Sequence, residues 1–282
     1  MRYGLPYVGS KNKIAARLVD FLPRGGVFVD LFAGGCAMTH AAMVSGKYRR
    51  FVANDLRGDV IRLFVDCAEG RRPAGDDWRA VTREEFRFRR NDPLIRLVWS
   101  FGNNGRTYIY NAETEPAKIA AHEMLVAGTV ADRADAFLRM IRATGGMFPI
   151  KQMASLTRLQ RLQSLGSLQS LGRLSRLTVS ERDYAEVEIP PGAVVYADPP
   201  YHGADEVNNR FYGAFDYDRF DAWLRAVPFP VYVSGYDMPD DFNVVWQTEK
   251  SVLLCSGGAK KRTEKLFLHR RWNRGGAMAD AE

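Results

Sequence analysis

The residues with the clearest chemistry are Ala197-Asp198-Pro199-Pro200-Tyr201, which close the apolar run Val194-Val195-Tyr196. Such a run has the character of a buried strand, and a carboxylate at its carboxyl end stands where open α/β sheets bind ligands. Pro199 and Pro200 fix the backbone and have no N–H, so the carbonyl oxygens around them only accept hydrogen bonds. Tyr201 adds a π-face. A stiff, acceptor-rich corner beside an aromatic ring suits a flat group that carries an amino function, such as a nucleobase. A strand ending in a proline turn would explain the prolines alone, but not the acid and the ring with them.

A second constellation is Phe28-Val29-Asp30-Leu31-Phe32-Ala33-Gly34-Gly35. Strand, glycine turn and helix make a nucleotide-type pocket, yet the spacing is not GxGxxG. Two glycines without a third favour close approach of an adenosine or methionine moiety over a pyrophosphate, which argues against a dinucleotide-dependent dehydrogenase. Asp55 ends the next apolar run 25 residues after Asp30, where an acid can bind a ribose diol. Either acid alone is equally well explained as a helix N-cap. The four histidines (His40, His122, His202, His269) show no metal-ligand spacing, so no metal site is expected and each is taken as structural or surface.

The elements that must position these groups follow from periodicity. Residues 12–22 predict a helix, 27–32 a strand, 37–43 a helix, 51–55 a strand and 60–67 a helix. That is the opening of a doubly wound parallel sheet. The pattern resumes with strands at 177–179, 194–197 and 231–234, then a terminal antiparallel pair near 244–246 and 265–268. Between the two halves lies a segment of different texture, with helices expected at 94–99 and 117–127. Ser100 to Tyr110, with Asn104-Gly105 among aromatics, is a hairpin or loop. Leucine recurs at every third position from 156 to 177. Three residues advance an α-helix by about 300°, so this stripe predicts either a short stack of turns or a distorted helix, in a structural or backbone-facing role.

The chain of 282 residues carries 40 Lys+Arg and 33 Asp+Glu, a net charge of +7, and is 46% hydrophobic. This composition excludes a disordered, collagen-like or small disulfide-stapled chain. Cys36, Cys67 and Cys255 are too few and too scattered for a disulfide framework or a zinc ribbon. With no leader-like start and no long apolar run, a reduced, cytoplasmic protein is expected, with no membrane partner. Residues 71–177 hold 18 Lys+Arg against 10 Asp+Glu, while the flanks hold 22 against 23. Arginine supplies all but two of the central cations, and its planar fork suits phosphates and guanine edges. A segment with that bias marks a surface that faces a polyanion.

Tyr7-Val8-Gly9-Ser10-Lys11, then Asp30 to Gly35, then Asn54-Asp55 and the Asp198 to Tyr201 motif, in that order, resemble the Dam-type (alpha-group, D12 class) adenine-N6 DNA methyltransferases. Ser10 stands where that family usually has a second glycine. The resemblance covers the sheet portions at both ends. It implies a Rossmann-like S-adenosylmethionine-dependent methyltransferase sheet with helices on both faces, formed by 1–70 and 178–282. The mainly helical segment 71–177 is then an inserted target-recognition domain. It implies a cofactor site of Tyr7, Lys11, Asp30, Phe32, Gly34, Asp55 and the pair Asp183-Tyr184, with Tyr in place of the usual Phe. Asp198, Pro199, Pro200 and Tyr201 are the implied catalytic corner, acting on an adenine flipped out of double-stranded DNA. Asn103, Asn104, Arg106 and Tyr108 become candidates for reading or wedging bases. Arg87, Arg89 and Arg90 become phosphate contacts, and Lys260, Lys261 and Arg262 with Glu264 a terminal basic hairpin on the DNA backbone. Asn208 to Tyr212 is expected to order over the flipped base. A monomer with no obligate protein partner is expected. The competing readings are methylation of cytosine N4 or of a glutamine amide, and a decayed relative that only binds DNA.

Overall fold

A computed structural model describes residues 3–7, 9–146, 156–171, 174–201, 215–253, 259–273 and 279–280. His202, Cys255 and the segment Asn208 to Tyr212 lie outside these. The chain divides into two compact units. One comprises Met1–Lys13, Gly34–His40 and Arg57–Ser175, the other Ile14–Ala33, Ala41–Leu56 and Arg176–Glu282.

The second unit is built on one sheet. Its strands are β1 (Val27–Asp30), β2 (Arg50–Asn54), β3 (Leu177–Ser180), β4 (Val194–Ala197), β5 (Val231–Gly235), β6 (Phe242–Leu253), β7 (Ala259–His269) and the two-residue β8 (Ala279–Asp280). They lie in the order β3-β2-β1-β4-β5-β7-β6-β8. The first five pair in parallel, and β7 runs antiparallel to both β5 and β6. β1 and β4 are buried at every residue, which is why they read as continuous apolar runs rather than alternating ones. Val29, Leu31, Val195, Ala197 and Val233 make the core with Phe220 and Leu224. The last two come from the helix Tyr217–Ala226, capped by Asp216, whose side chain accepts from the Arg219 N–H. Helix α1 (Ala15–Phe21) precedes β1, and α2 (Ala37–Val44) connects β1 to β2.

The first unit is helical. It contains α3 (Gly58–Ala68), α4 (Arg83–Phe88), α5 (Pro93–Val98), α6 (Glu115–Val126), α7 (Val130–Ala143) and α8 (Leu156–Gly166). α4 starts in a capping box of Thr82 and Glu85, and Asp92 caps α5 with Pro93 in its first turn. α3 groups with this unit because its apolar face packs on α5, α8 and the turn Ser167–Leu171, and Asp59 pairs with Arg96.

The leucine repeat resolves into two kinds of helix. α8 carries its first part, two 3₁₀ turns, Ser167–Leu171 and Leu174–Arg176, carry Leu168 to Leu174, and Leu177 opens β3. A 3₁₀ helix has three residues per turn, so a three-residue repeat keeps to one face there. Leu162, Leu165 and Leu168 are buried. The serines between them form a matching ladder: the hydroxyls of Ser164, Ser167 and Ser170 each donate to the carbonyl three residues back, at 2.7, 2.8 and 2.9 Å.

Candidate active site

In the sheet unit, three carboxylates come from the carboxyl ends of three adjacent parallel strands. Asp30 is the last residue of β1, Asp55 follows β2 and Asp198 follows β4. The chain leaves β1 toward β2 on one side, while β4 lies on the other, so this is the switch point of the sheet, where its ligand crevice opens. Asp30 is 1% exposed and Asp55 8%, while Asp198 is half-buried. The pairing continues past the strands: Leu31 N–H donates to the Tyr196 carbonyl at 3.0 Å, and Ala33 N–H to the Asn54 carbonyl at 2.8 Å.

Asn54 locks this edge. Its amide donates to the carbonyls of Leu31 at 3.1 Å and Arg182 at 3.0 Å, and its Oδ1 accepts from the Arg182 N–H at 3.1 Å. One side chain thus ties the loops after β1 and β3 on either side of Asp55. The sequence shows Asn54 as a neighbour of Asp55 and gives no sign of this clamp, because Arg182 lies 128 residues away.

Tyr201 is held from several sides. Its hydroxyl donates to Asp198 Oδ1 at 2.9 Å and also contacts Glu264 Oε1. The Tyr236 ring meets it edge-on, with centroids 4.7 Å apart. Tyr217 donates from its hydroxyl to the Tyr201 carbonyl at 2.9 Å. Desolvation first, and then the charges of Asp198 and Glu264, hold the phenol well above its ordinary pKa. It therefore stays a neutral donor. On β4, the buried Tyr196 hydroxyl pairs with the Ser234 hydroxyl of β5 at 2.7 Å and anchors the strand that delivers Asp198.

The remaining expected residues of this unit have other neighbours. Asp183 caps the turn Tyr184–Glu186 and takes both arms of the Arg219 guanidinium at 2.9 Å, which lowers its pKa. The resemblance places Tyr184 in the cofactor site. In the structure it is a buried ring, enclosed by Phe32, Phe215, Phe220 and Trp223 at 5.0–6.1 Å. Phe32 stays half-buried at the rim of that cluster. Lys260, Lys261 and Arg262 lie on β7, opposite Val252, Ser251 and Lys250 of β6.

In the other unit, the opening motif is a turn closed by the Ser10 N–H donating to the Tyr7 carbonyl at 3.2 Å, with Gly9 at φ +75°. The left-handed position falls on Gly9, so a serine at position 10 is accommodated. The Tyr7 ring lies over Gly34, where a Cβ would stand 3.0 Å from a ring carbon. Lys11 is buried. His40, expected as structural or surface, is structural: its Nδ1 accepts the Gly4 N–H at 3.0 Å, and burial lowers its pKa to about 4.

The segment from Ser100 to Tyr110 is a loop pinned at its base by an antiparallel bridge between Ser100 and Tyr108. Much of its polarity is used internally. Asn103 donates to the Leu97 carbonyl at 2.7 Å, and Asn104 Oδ1 accepts from the N–H groups of Arg106 and Thr107. Tyr108 is buried and donates to the Val81 carbonyl at 2.7 Å. It is a core ring of this unit rather than a wedge. Arg106 is exposed, as are Arg87 and Arg90, whereas Arg89 is half-buried and pairs with Asp92 at 3.4 Å. Phe88, between Arg87 and Arg89, is 80% exposed.

Among the described residues no helix is long and apolar enough to cross a membrane. No curated protein matches the chain. The family model described as D12 class N6 adenine-specific DNA methyltransferase matches residues 7–231. That span runs from the Tyr7 turn through all three strand-end acids to β5, and the chain belongs to this family of adenine-specific DNA methyltransferases.

Proposed function

We propose that the chain transfers a methyl group from S-adenosylmethionine to the N6 amino group of an adenine flipped out of double-stranded DNA. The observation that carries this reading is Asp198, at the switch point of the sheet, hydrogen-bonded to Tyr201 between two prolines that strip the corner of N–H donors.

The residues fit the cofactor. Buried Asp30 and Asp55 offer acceptors at neighbouring strand ends to a cationic amine and a ribose diol, and Gly34, at a φ of +46° that disfavours any side chain, brings bare backbone close under the Tyr7 ring. S-adenosylmethionine, when bound, supplies an electrophilic methyl on its sulfonium sulfur. We assign Tyr7, Lys11, Asp30, Phe32, Gly34 and Asp55 to holding it. Asp183 and Tyr184 support that set, Asp183 through Arg219 and Tyr184 from behind Phe32.

A base inside a duplex is out of reach of any strand-end carboxylate, so the target is extruded and stacks on Tyr201. Asp198 and the Pro199 carbonyl accept the two amino hydrogens, turning the nitrogen lone pair toward the methyl group. A carboxylate offers about four lone-pair sites, so accepting the Tyr201 phenol does not by itself prevent this. As the methyl carbon–sulfur bond breaks and the carbon–nitrogen bond forms, Asp198 stabilises the positive charge that develops on nitrogen, and the surplus N6 proton is released to solvent. Arg87, Arg90, Arg106 and the basic residues Lys260, Lys261 and Arg262 are assigned to phosphate contacts, and residues 71–177 to target recognition.

The test is Asp198→Ala in the full chain. Binding of S-adenosylmethionine and of DNA is expected to persist while methyl transfer falls by about two to three orders of magnitude, the usual loss when one preorganised polar group at a developing charge is removed. Unchanged transfer would remove Asp198 from the chemistry.

A further inference from the structure

Glu264 is a carboxyl group on the buried face of β7. It alternates with Leu266 and Leu268, and all three are buried, Glu264 to 1% exposure. An apolar residue would suit the position, and replacing buried ionisable groups by well-packed apolar ones is often neutral or stabilising. Stability therefore does not account for an acid here. The register does. Lys265 lies opposite Gly235, the last residue of β5. Glu264 is one step further on, at the edge where Asp198 leaves β4. There its Oε1 contacts the Tyr201 hydroxyl, which in turn bonds Asp198 at 2.9 Å.

We propose that Glu264 is a positioning residue of the active site, fixing through one phenol both the ring that receives the base and the carboxylate that receives its amino group. This rests on the methyl-transfer reading above. A hydroxyl with one partner turns about its C–O bond, and a ring gripped only at its backbone swings at Cα–Cβ. Two carboxyl contacts at the far end of the ring, with the Tyr236 ring packed at 81° to it, suppress both motions. Asp198 is then oriented before the base arrives. The stabilisation is preorganised rather than assembled during the reaction.

The experiment is a double-mutant cycle of Glu264→Gln and Tyr201→Phe, with kcat and the KM values for S-adenosylmethionine and DNA measured separately. Glu264→Gln is expected to lower kcat by about tenfold to a hundredfold, the scale of a small misplacement of reacting groups, with both KM values unchanged. Since Glu264 acts only through the phenol, the double variant is expected to match Tyr201→Phe alone. Full kcat in Glu264→Gln, or losses that multiply in the double variant, would overturn the proposal. Glu264→Leu suits the apolar face and is expected to fold and to be equally slow. A folded Glu264→Leu with full kcat also overturns it. A readout independent of turnover is the ζ-carbon NMR resonance of isotope-labelled Tyr201, identified by its loss in Tyr201→Phe. It is expected to move in Glu264→Gln, and an unmoved resonance would sink the proposal even in a chain that methylates no DNA. Absence of transfer by the unmodified chain, with the resonance moving, would instead count against the functional reading alone.

Discussion

His40 illustrates how a single buried side chain sets the conditions under which the opening motif holds together. Its Nδ1 accepts the Gly4 N–H, so the native state needs the neutral imidazole, and burial among Tyr3 and Phe64 lowers its pKa from 6.5 to about 4. An unfolded chain binds that proton more readily than the native one. The contribution of His40 is thus complete above pH 6.5 and is lost as pH falls from there to about 4, a slope of up to about 1.4 kcal/mol per pH unit. Thermal unfolding across that window is expected to show a steep fall in Tm that Glu or Asp titration alone does not produce, and His40→Gln is expected to flatten it. An unchanged pH profile in His40→Gln would show that the imidazole is not the titrating group.

At the scale of elements, the sheet was legible in the sequence because parallel strands buried on both faces are continuous apolar runs bounded by glycine and proline. Asp30, Asp55 and Asp198 were legible with it, since each is the first acid after such a run. The clamps were not. Asn54 meets Arg182 across 128 residues, Tyr201 meets Glu264 across 63, and His40 meets Gly4 across 36. Nothing local distinguishes those side chains from surface polar residues. The leucine repeat was visible but ambiguous because two kinds of helix share it: Leu162 and Leu165 lie on α8 and Leu168 on the 3₁₀ turn that follows, and all three are buried. Leu165→Ala is expected to destabilise the helical unit by about 2–5 kcal/mol, read by denaturant unfolding, whereas Gln169→Ala at an exposed position of the 3₁₀ turn that follows is expected to be neutral. Equal effects at the two positions would contradict the assigned face.

For the whole molecule, the charge is divided unevenly. Residues 71–177 carry 18 basic against 10 acidic residues, and the flanks 22 against 23. Many of the central arginines are committed to carboxylates of the same unit: Arg72 to Asp77 and Asp92, Arg83 to Glu115, Arg96 to Asp59 and Arg139 to Glu123 and Asp135. Arg87 and Arg90 are exposed on the surface of the same unit and belong to the set proposed to face DNA. Affinity for duplex DNA is expected to fall linearly with salt on logarithmic axes, and each of Arg87→Ala and Arg90→Ala is expected to reduce that slope by about one without changing sequence preference. A slope unaffected by either would place the phosphate contacts elsewhere.

The central claim is adenine-N6 methyl transfer at the Asp198 corner. Its most direct test is incubation of the full chain with labelled S-adenosylmethionine and unmethylated duplex DNA, followed by long-read detection of the modified base. Label in N6-methyladenine, confined to a short fixed sequence and abolished by Asp198→Ala, is the result expected. Label on cytosine N4, or DNA bound in a salt-sensitive manner and never modified, would contradict it.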